Sequence, residues 1–112
     1  MSPGNLRRMG VALALLLAGS STRAAETQWE LVIEGHRFQP TELAVPSGVK
    51  IRLVVENKDI TPEEFESYAL NREKIIAPGQ RAVLYVGPLK PGRYEFFGDF
   101  NPATARGWLV AK

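Results

Sequence analysis

The stretch Thr61-Pro62-Glu63-Glu64-Phe65-Glu66-Ser67 sets three carboxylic acids around one aromatic residue. In an extended backbone Glu64 and Glu66 leave from one face and Phe65 from the other, because strand side chains alternate with a period of two. Like charges held that close repel, so they are solvated, share a proton at a raised pKa, or are bridged by a cation. The third outcome is metal chemistry with oxygen donors. Solvated acids that discourage edge-to-edge aggregation are the plainer alternative.

The amino terminus bears on which chemistries remain open. Arg7 and Arg8 precede the apolar run from Met9 to Ala18, which is too short to span a bilayer as a helix. Gly19-Ser20-Ser21-Thr22-Arg23 then leads to Ala24-Ala25. This is the layout of a secretory signal peptide over residues 1–24, leaving one exported domain over residues 25–112. Arg7, Arg8 and Arg23 are among the 14 basic residues, whereas all 12 acidic ones lie downstream, so the mature net charge is −1. That balance gives no nucleic-acid-binding surface.

Both methionines, Met1 and Met9, also fall in the leader, there is no cysteine, and His36 is the only histidine. Disulfides, a cysteine nucleophile and a thiolate or thioether copper site are therefore excluded from the mature domain. A Ser-His-Asp arrangement would have to be built on His36, and no nucleophile stands out near it.

The elements that must position the acids read as strands, each ended by Pro or Gly. Trp29, Leu31 and Ile33 alternate with Glu30 and Glu34; Val49, Ile51, Leu53 and Val55 alternate with Lys50, Arg52 and Glu56; Ala82, Leu84 and Val86 alternate with Arg81, Val83 and Tyr85. Shorter segments run from Glu42 to Val45 and over Lys74-Ile75-Ile76, and Tyr94 and Phe96 share a face. Gly98-Asp99-Phe100-Asn101-Pro102 reads as a loop before a terminal strand over Gly107 to Val110. Seven or eight short strands with turns at this spacing predict an all-β, two-sheet antiparallel sandwich with Greek-key connections.

The order Phe38-x-Pro40, Val45-Pro46-x-Gly48, Asn57, an acidic-aromatic stretch, Pro78-Gly79, Pro91-Gly92-x-Tyr94-x-Phe96 and Gly107-Trp108-Leu109-Val110 resembles the cupredoxin family. It is most similar to the EfeO-type cupredoxin-like domain of periplasmic ferrous-iron uptake systems. The resemblance implies ligand positions for type 1 copper, and at these this sequence has Glu64 for the first His, Gly98 for Cys, Asn101 for the second His and Trp108 for Met. Every copper ligand is replaced. In their stead Glu64, Glu66, Asp99 and Asn101 form an all-oxygen candidate site. Such donors suit Fe(III), Mn(II), Ca(II) or Mg(II), and a surplus of carboxylate favours Fe(III) over Fe(II) by charge.

The resemblance therefore implies an iron-binding accessory of a ferrous-iron permease or another periplasmic uptake component, delivering Fe(II) or assisting its oxidation. The alternative is a metal-free exported sandwich that docks a periplasmic or membrane partner. Glu73 is expected to pair with Arg72, Lys74 or Arg81, and His36 to lie away from the ligand end. Phe65, Tyr68, Phe97, Phe100 and Trp108 are expected to pack that end and shield it from water.

Overall fold

A computed structural model describes residues 27–112; the leader expected over residues 1–24 lies outside the described residues. The apolar alternation becomes strands: β1 (Trp29–Ile33), β2 (Phe38–Gln39), β3 (Glu42–Val45), β4 (Ile51–Asn57), β5 (Glu63–Ser67), β6 (Arg72–Ile76), β7 (Arg81–Val86), β8 (Gly92–Gly98) and β9 (Arg106–Ala111). They form a four-stranded sheet in the order β2-β1-β4-β7 and a five-stranded sheet in the order β3-β9-β8-β5-β6. Among the described residues no helix is long and apolar enough to cross a membrane.

The expected sandwich is present, with nine strands among the described residues rather than seven or eight and with two parallel pairs, β1 with β4 and β3 with β9. The parallel pairs arise because the chain leaves the first sheet for β3 before returning in β4. The strand expected from Val49 begins at Ile51, which pairs with Val86. Before it, the Ser47 and Gly48 amides donate to Lys112 and Leu89 carbonyls instead.

Inward residues close the core: Leu31 and Ile33 from β1, Ile51, Leu53 and Val55 from β4, Leu84 and Val86 from β7, and Phe65, Phe96 and Leu109 from the facing sheet. Each large apolar side chain withdrawn from water contributes about 1.5–3 kcal/mol. Phe38 stands edge-on to Phe65 and Phe96, at 6.1 and 4.9 Å between ring centroids, while Phe65 and Phe96 stack at 5.3 Å. A side chain at Gly107 would lie 2.6 Å from the Phe96 ring, so the glycine admits the aromatic cluster. This cluster fixes β5, which bears Glu64 and Glu66, against β8, which leads into Asp99.

Ahead of β5, buried Asn57 holds the connecting loop. Its Nδ2 donates to the carbonyls of Thr61 at 2.8 Å and Ile76 at 3.0 Å, and its Oδ1 accepts from the Asp59 amide at 3.0 Å. At the other end Ser67 Oγ donates to the Glu95 carbonyl at 2.6 Å. The register of β5 is thus set at both ends by side-chain bonds as well as by the ladder.

Candidate metal centre

Along β5 the alternation is strict: Glu63, Phe65 and Ser67 are buried, and Glu64 and Glu66 are half-buried on the outer face. Phe65 pairs with Gly98 and Glu66 with Phe97, which brings the end of β8 alongside Glu64. The Asp99 amide donates to the Glu64 carbonyl at 2.9 Å, fixing Asp99 beside the strand. One carboxyl oxygen from each of Glu64, Glu66 and Asp99 lies within 4.8 Å of the others.

Three of the four residues expected to form the site therefore come together. Asn101 does not join them, because its side-chain Nδ2 donates inward to Glu63 Oε2 at 2.7 Å. Glu73 stands directly opposite Glu66 on β6. It takes no part in the expected pairing: Arg81 bridges Glu30 and Glu56, and the Arg72 guanidinium donates to the Tyr85 and Asn71 carbonyls.

The electrostatics follow from this grouping. Partial desolvation, then repulsion from Glu66, Glu73 and Asp99 and a hydrogen bond with Asp99, pushes the Glu64 carboxyl above its ordinary range. Glu66 is raised as well, by desolvation and by the charges of Glu73 and Asp99. Elsewhere on the same outer face the acids are neutralised: Arg93 lies 2.9 Å from Glu42 and Arg106 lies 3.1 Å from Glu95. Hydrogen bonding and charge from Arg93 hold Glu42 below the usual carboxylate range.

The inner face holds the residue that sequence reasoning missed. Glu63 is 1% exposed, and it faces Gly98 and Asn101 where Glu64 had been expected to stand. The correction follows from alternation, since a side chain one place along the strand points out of the sandwich. Glu63 Oε1 accepts from the Phe100 amide at 2.9 Å and the Glu64 amide at 3.0 Å. A Cβ at position 98 would lie 2.6 Å from Glu63 Cδ and 2.7 Å from Ala105 Cβ, so this carboxyl fills the space beneath the loop. The same alternation that paired Glu64 with Glu66 assigns Glu63 to the core beside Phe65, and that was the signal available.

Other expectations change for similar reasons. Trp108 lies on the outer face under Arg93, whose guanidinium is 4.8 Å from the ring, while Ala105 is the neighbour of Gly98. Of the five aromatics expected to seal the site, Phe65 is in the core, Tyr68 and Phe100 are exposed, and Phe97 and Trp108 are half-buried on the outer sheet. His36 lies at the same end as the acidic stretch. Its Nε2 is 3.3 Å from Thr61 Oγ1, and its carbonyl accepts from Thr104 Oγ1 at 2.6 Å.

Thiolate copper has no place here, because the chain contains no cysteine and position 98 has no room for one beside Glu63. The outer trio is different. Its three oxygens are close enough for small side-chain rotations to bring each within about 2.0–2.6 Å of a shared hard cation. Such a cation would also relieve the mutual repulsion.

The Cupredoxin-like domain family model matches residues 8–111. An uncharacterized protein of Rickettsia prowazekii (strain Madrid E) is 47% identical over 81 residues, which is 72% of this chain and 65% of that protein. The chain thus spans just under two thirds of the length of that relative. Among solved structures, a purple cupredoxin from Nitrosopumilus maritimus aligns with a TM-score of 0.60 at 18% identity, over 74% of this chain and 98% of its own. Amicyanin from Paracoccus versutus gives a TM-score of 0.61 at 14% identity, over 80% and 85% respectively. At such identities the likeness carries the fold alone.

Proposed function

Because this chain belongs to the Cupredoxin-like domain family yet has no cysteine and so no type 1 copper site, we propose that it binds iron through carboxylates as an exported accessory of ferrous-iron uptake. The observation that carries the reading is the convergence of Glu64, Glu66 and Asp99, with oxygens within 4.8 Å of one another and two of the three acids at raised pKa. Acids turned apart into solvent would have favoured a metal-free docking module instead.

In this reading Glu64, Glu66 and Asp99 supply three hard donors, and solvent or a partner completes the shell. Three negative charges favour Fe(III) over Fe(II), so the site would ease loss of one electron to an external acceptor, or hold Fe(II) for transfer to a membrane permease. The EfeO-type resemblance supports iron over calcium or manganese; the donor set alone admits all three.

Anaerobic calorimetric titration of the protein with Fe(II), Mn(II), Ca(II) and Cu(II), beside a Glu64→Gln/Glu66→Gln variant, tests this. The expected result is one saturable site for Fe(II) and Mn(II) that the variant lacks while keeping its circular dichroism. Equal binding by the variant would remove the trio from the site, and absence of binding by the wild type would leave the docking module. Admitting air to the Fe(II) complex and following ferric absorbance separates oxidation from delivery.

A further inference from the structure

We infer that Glu63 is a positioning residue whose buried carboxyl holds the β8–β9 loop so that Asp99 stands against Glu64 and Glu66. Its consequence for metal binding rests on the proposed trio site, but its structural basis does not.

Three bonds converge on one side chain. Glu63 Oε1 accepts from the amides of Glu64 and Phe100, and Oε2 accepts from Asn101 Nδ2. Asp99 lies between Gly98, the last residue of β8, and Phe100, and its own amide is bonded to the Glu64 carbonyl. The residues on either side of Asp99 are thus tied down: Gly98 by strand pairing with Phe65, and Phe100 by Glu63. Beyond them the loop closes on Asn101, whose carbonyl accepts from the Thr104 and Ala105 amides and whose side chain is the one bound to Glu63.

Chemistry explains why an acid occupies this buried position. An apolar residue of similar size would fill the space but orphan the Phe100 amide and the Asn101 side chain, each a part-buried donor left without its acceptor. A carboxyl group presents two oxygens on one rigid plane and can accept from backbone and side chain together. Gly98 makes the arrangement possible, since any side chain there would displace Glu63 Oε2, 2.8 Å from the Cβ position. Residues that orient metal ligands from behind characteristically change affinity by about 10–100-fold when removed.

The experiment measures amide hydrogen exchange by NMR and Mn(II) affinity in the wild type, Glu63→Gln and Glu63→Ala. Glutamine keeps an oxygen toward the Phe100 and Glu64 amides, and a flip of the Asn101 amide gives its nitrogen an acceptor. The expected result for Glu63→Ala is exchange about tenfold faster at Asp99 and Phe100, with Leu53 and Val55 unchanged, and Mn(II) affinity about 10–100-fold weaker. Glu63→Gln should restore both. Unchanged exchange at Asp99 and Phe100 in Glu63→Ala, or no recovery in Glu63→Gln, overturns the assignment.

Should Glu63→Ala fail to fold, Asn101→Ala removes one of the three bonds and should still speed exchange at Asp99 and Phe100; unaltered exchange there is equally fatal. A wild type that binds neither Fe(II) nor Mn(II) would refute the trio site, while the exchange measurements would still decide the role of Glu63.

Discussion

On the inner face of β5 the Glu63 carboxyl accepts three hydrogen bonds within the sandwich, whereas one residue along the strand Glu64 faces the like charges of Glu66, Glu73 and Asp99. The residues are chemically identical and adjacent, and their environments differ because a strand turns successive side chains to opposite sides. Burial demands that an acid be satisfied by the protein itself. The surface lets the acids face one another, and partial desolvation with mutual repulsion raises the pKa of Glu64 and Glu66. The Arg93–Glu42 and Arg106–Glu95 pairs on the same sheet show that exposed acids elsewhere on it are neutralised internally.

The inner arrangement breaks most severely. Gly98→Ala places a methyl group 2.6 Å from Glu63 Cδ and 2.7 Å from Ala105 Cβ. The expected loss is about 2 kcal/mol of unfolding free energy, in the range of overpacked cores, and urea denaturation measures it. A loss under about 0.5 kcal/mol would mean that Glu63 moves aside freely and that the inner side is no tighter than the outer.

The outer arrangement should respond with the opposite sign. Glu64 and Glu66 have folded-state pKa values raised above their ordinary range, so the native state binds protons more readily than the unfolded chain. Their favourable contribution is present below the unfolded pKa and is lost as pH rises through the raised values. Glu66→Gln should accordingly raise the thermal midpoint at pH 7 by less than Gly98→Ala lowers it, and the gain should vanish as pH falls below the ordinary carboxylate range. Saturating Mn(II) should raise the wild-type midpoint at pH 7 and leave a Glu64→Gln/Glu66→Gln protein unmoved. A midpoint for Glu66→Gln that falls at pH 7 would show the trio to be an ordinary solvated face.

The paired half of the sheet sets the lower limit of the comparison. Arg106→Gln removes an exposed ion pair with Glu95 and a contact over the Phe97 ring. It should cost about 0.5 kcal/mol or less in urea denaturation, a cost that high salt reduces. A larger loss would mean that neutralisation on this face carries stability that the acidic half forgoes.

Sequence patterning made much of the sandwich legible because one face of most strands is buried. Leu31 and Ile33, or Leu53 and Val55, could not be moved by one residue without exposing the core. The juxtaposition of Glu64 and Glu66 was readable on the same ground. The role of Glu63 was not, because its partners Phe100 and Asn101 stand 37 and 38 residues away and no local pattern announces such bonds. Trp108 was misplaced because family position was read without asking which way the strand turns that side chain. His36 was misplaced because the β1–β2 turn reaches over to Thr61 and Thr104, contacts between loops that periodicity does not encode.

The missing side chain at position 98 also bears on how readily a thiolate site could be built into this sandwich. A thiolate does not fit there while Glu63 occupies the adjoining space, and Glu63 cannot leave first without stranding the donors of Phe100 and Asn101. Either single step passes through a less stable protein, so the two changes are accessible chiefly together. Any variant that carries a side chain at position 98 would therefore need the Glu63 carboxyl replaced in the same step.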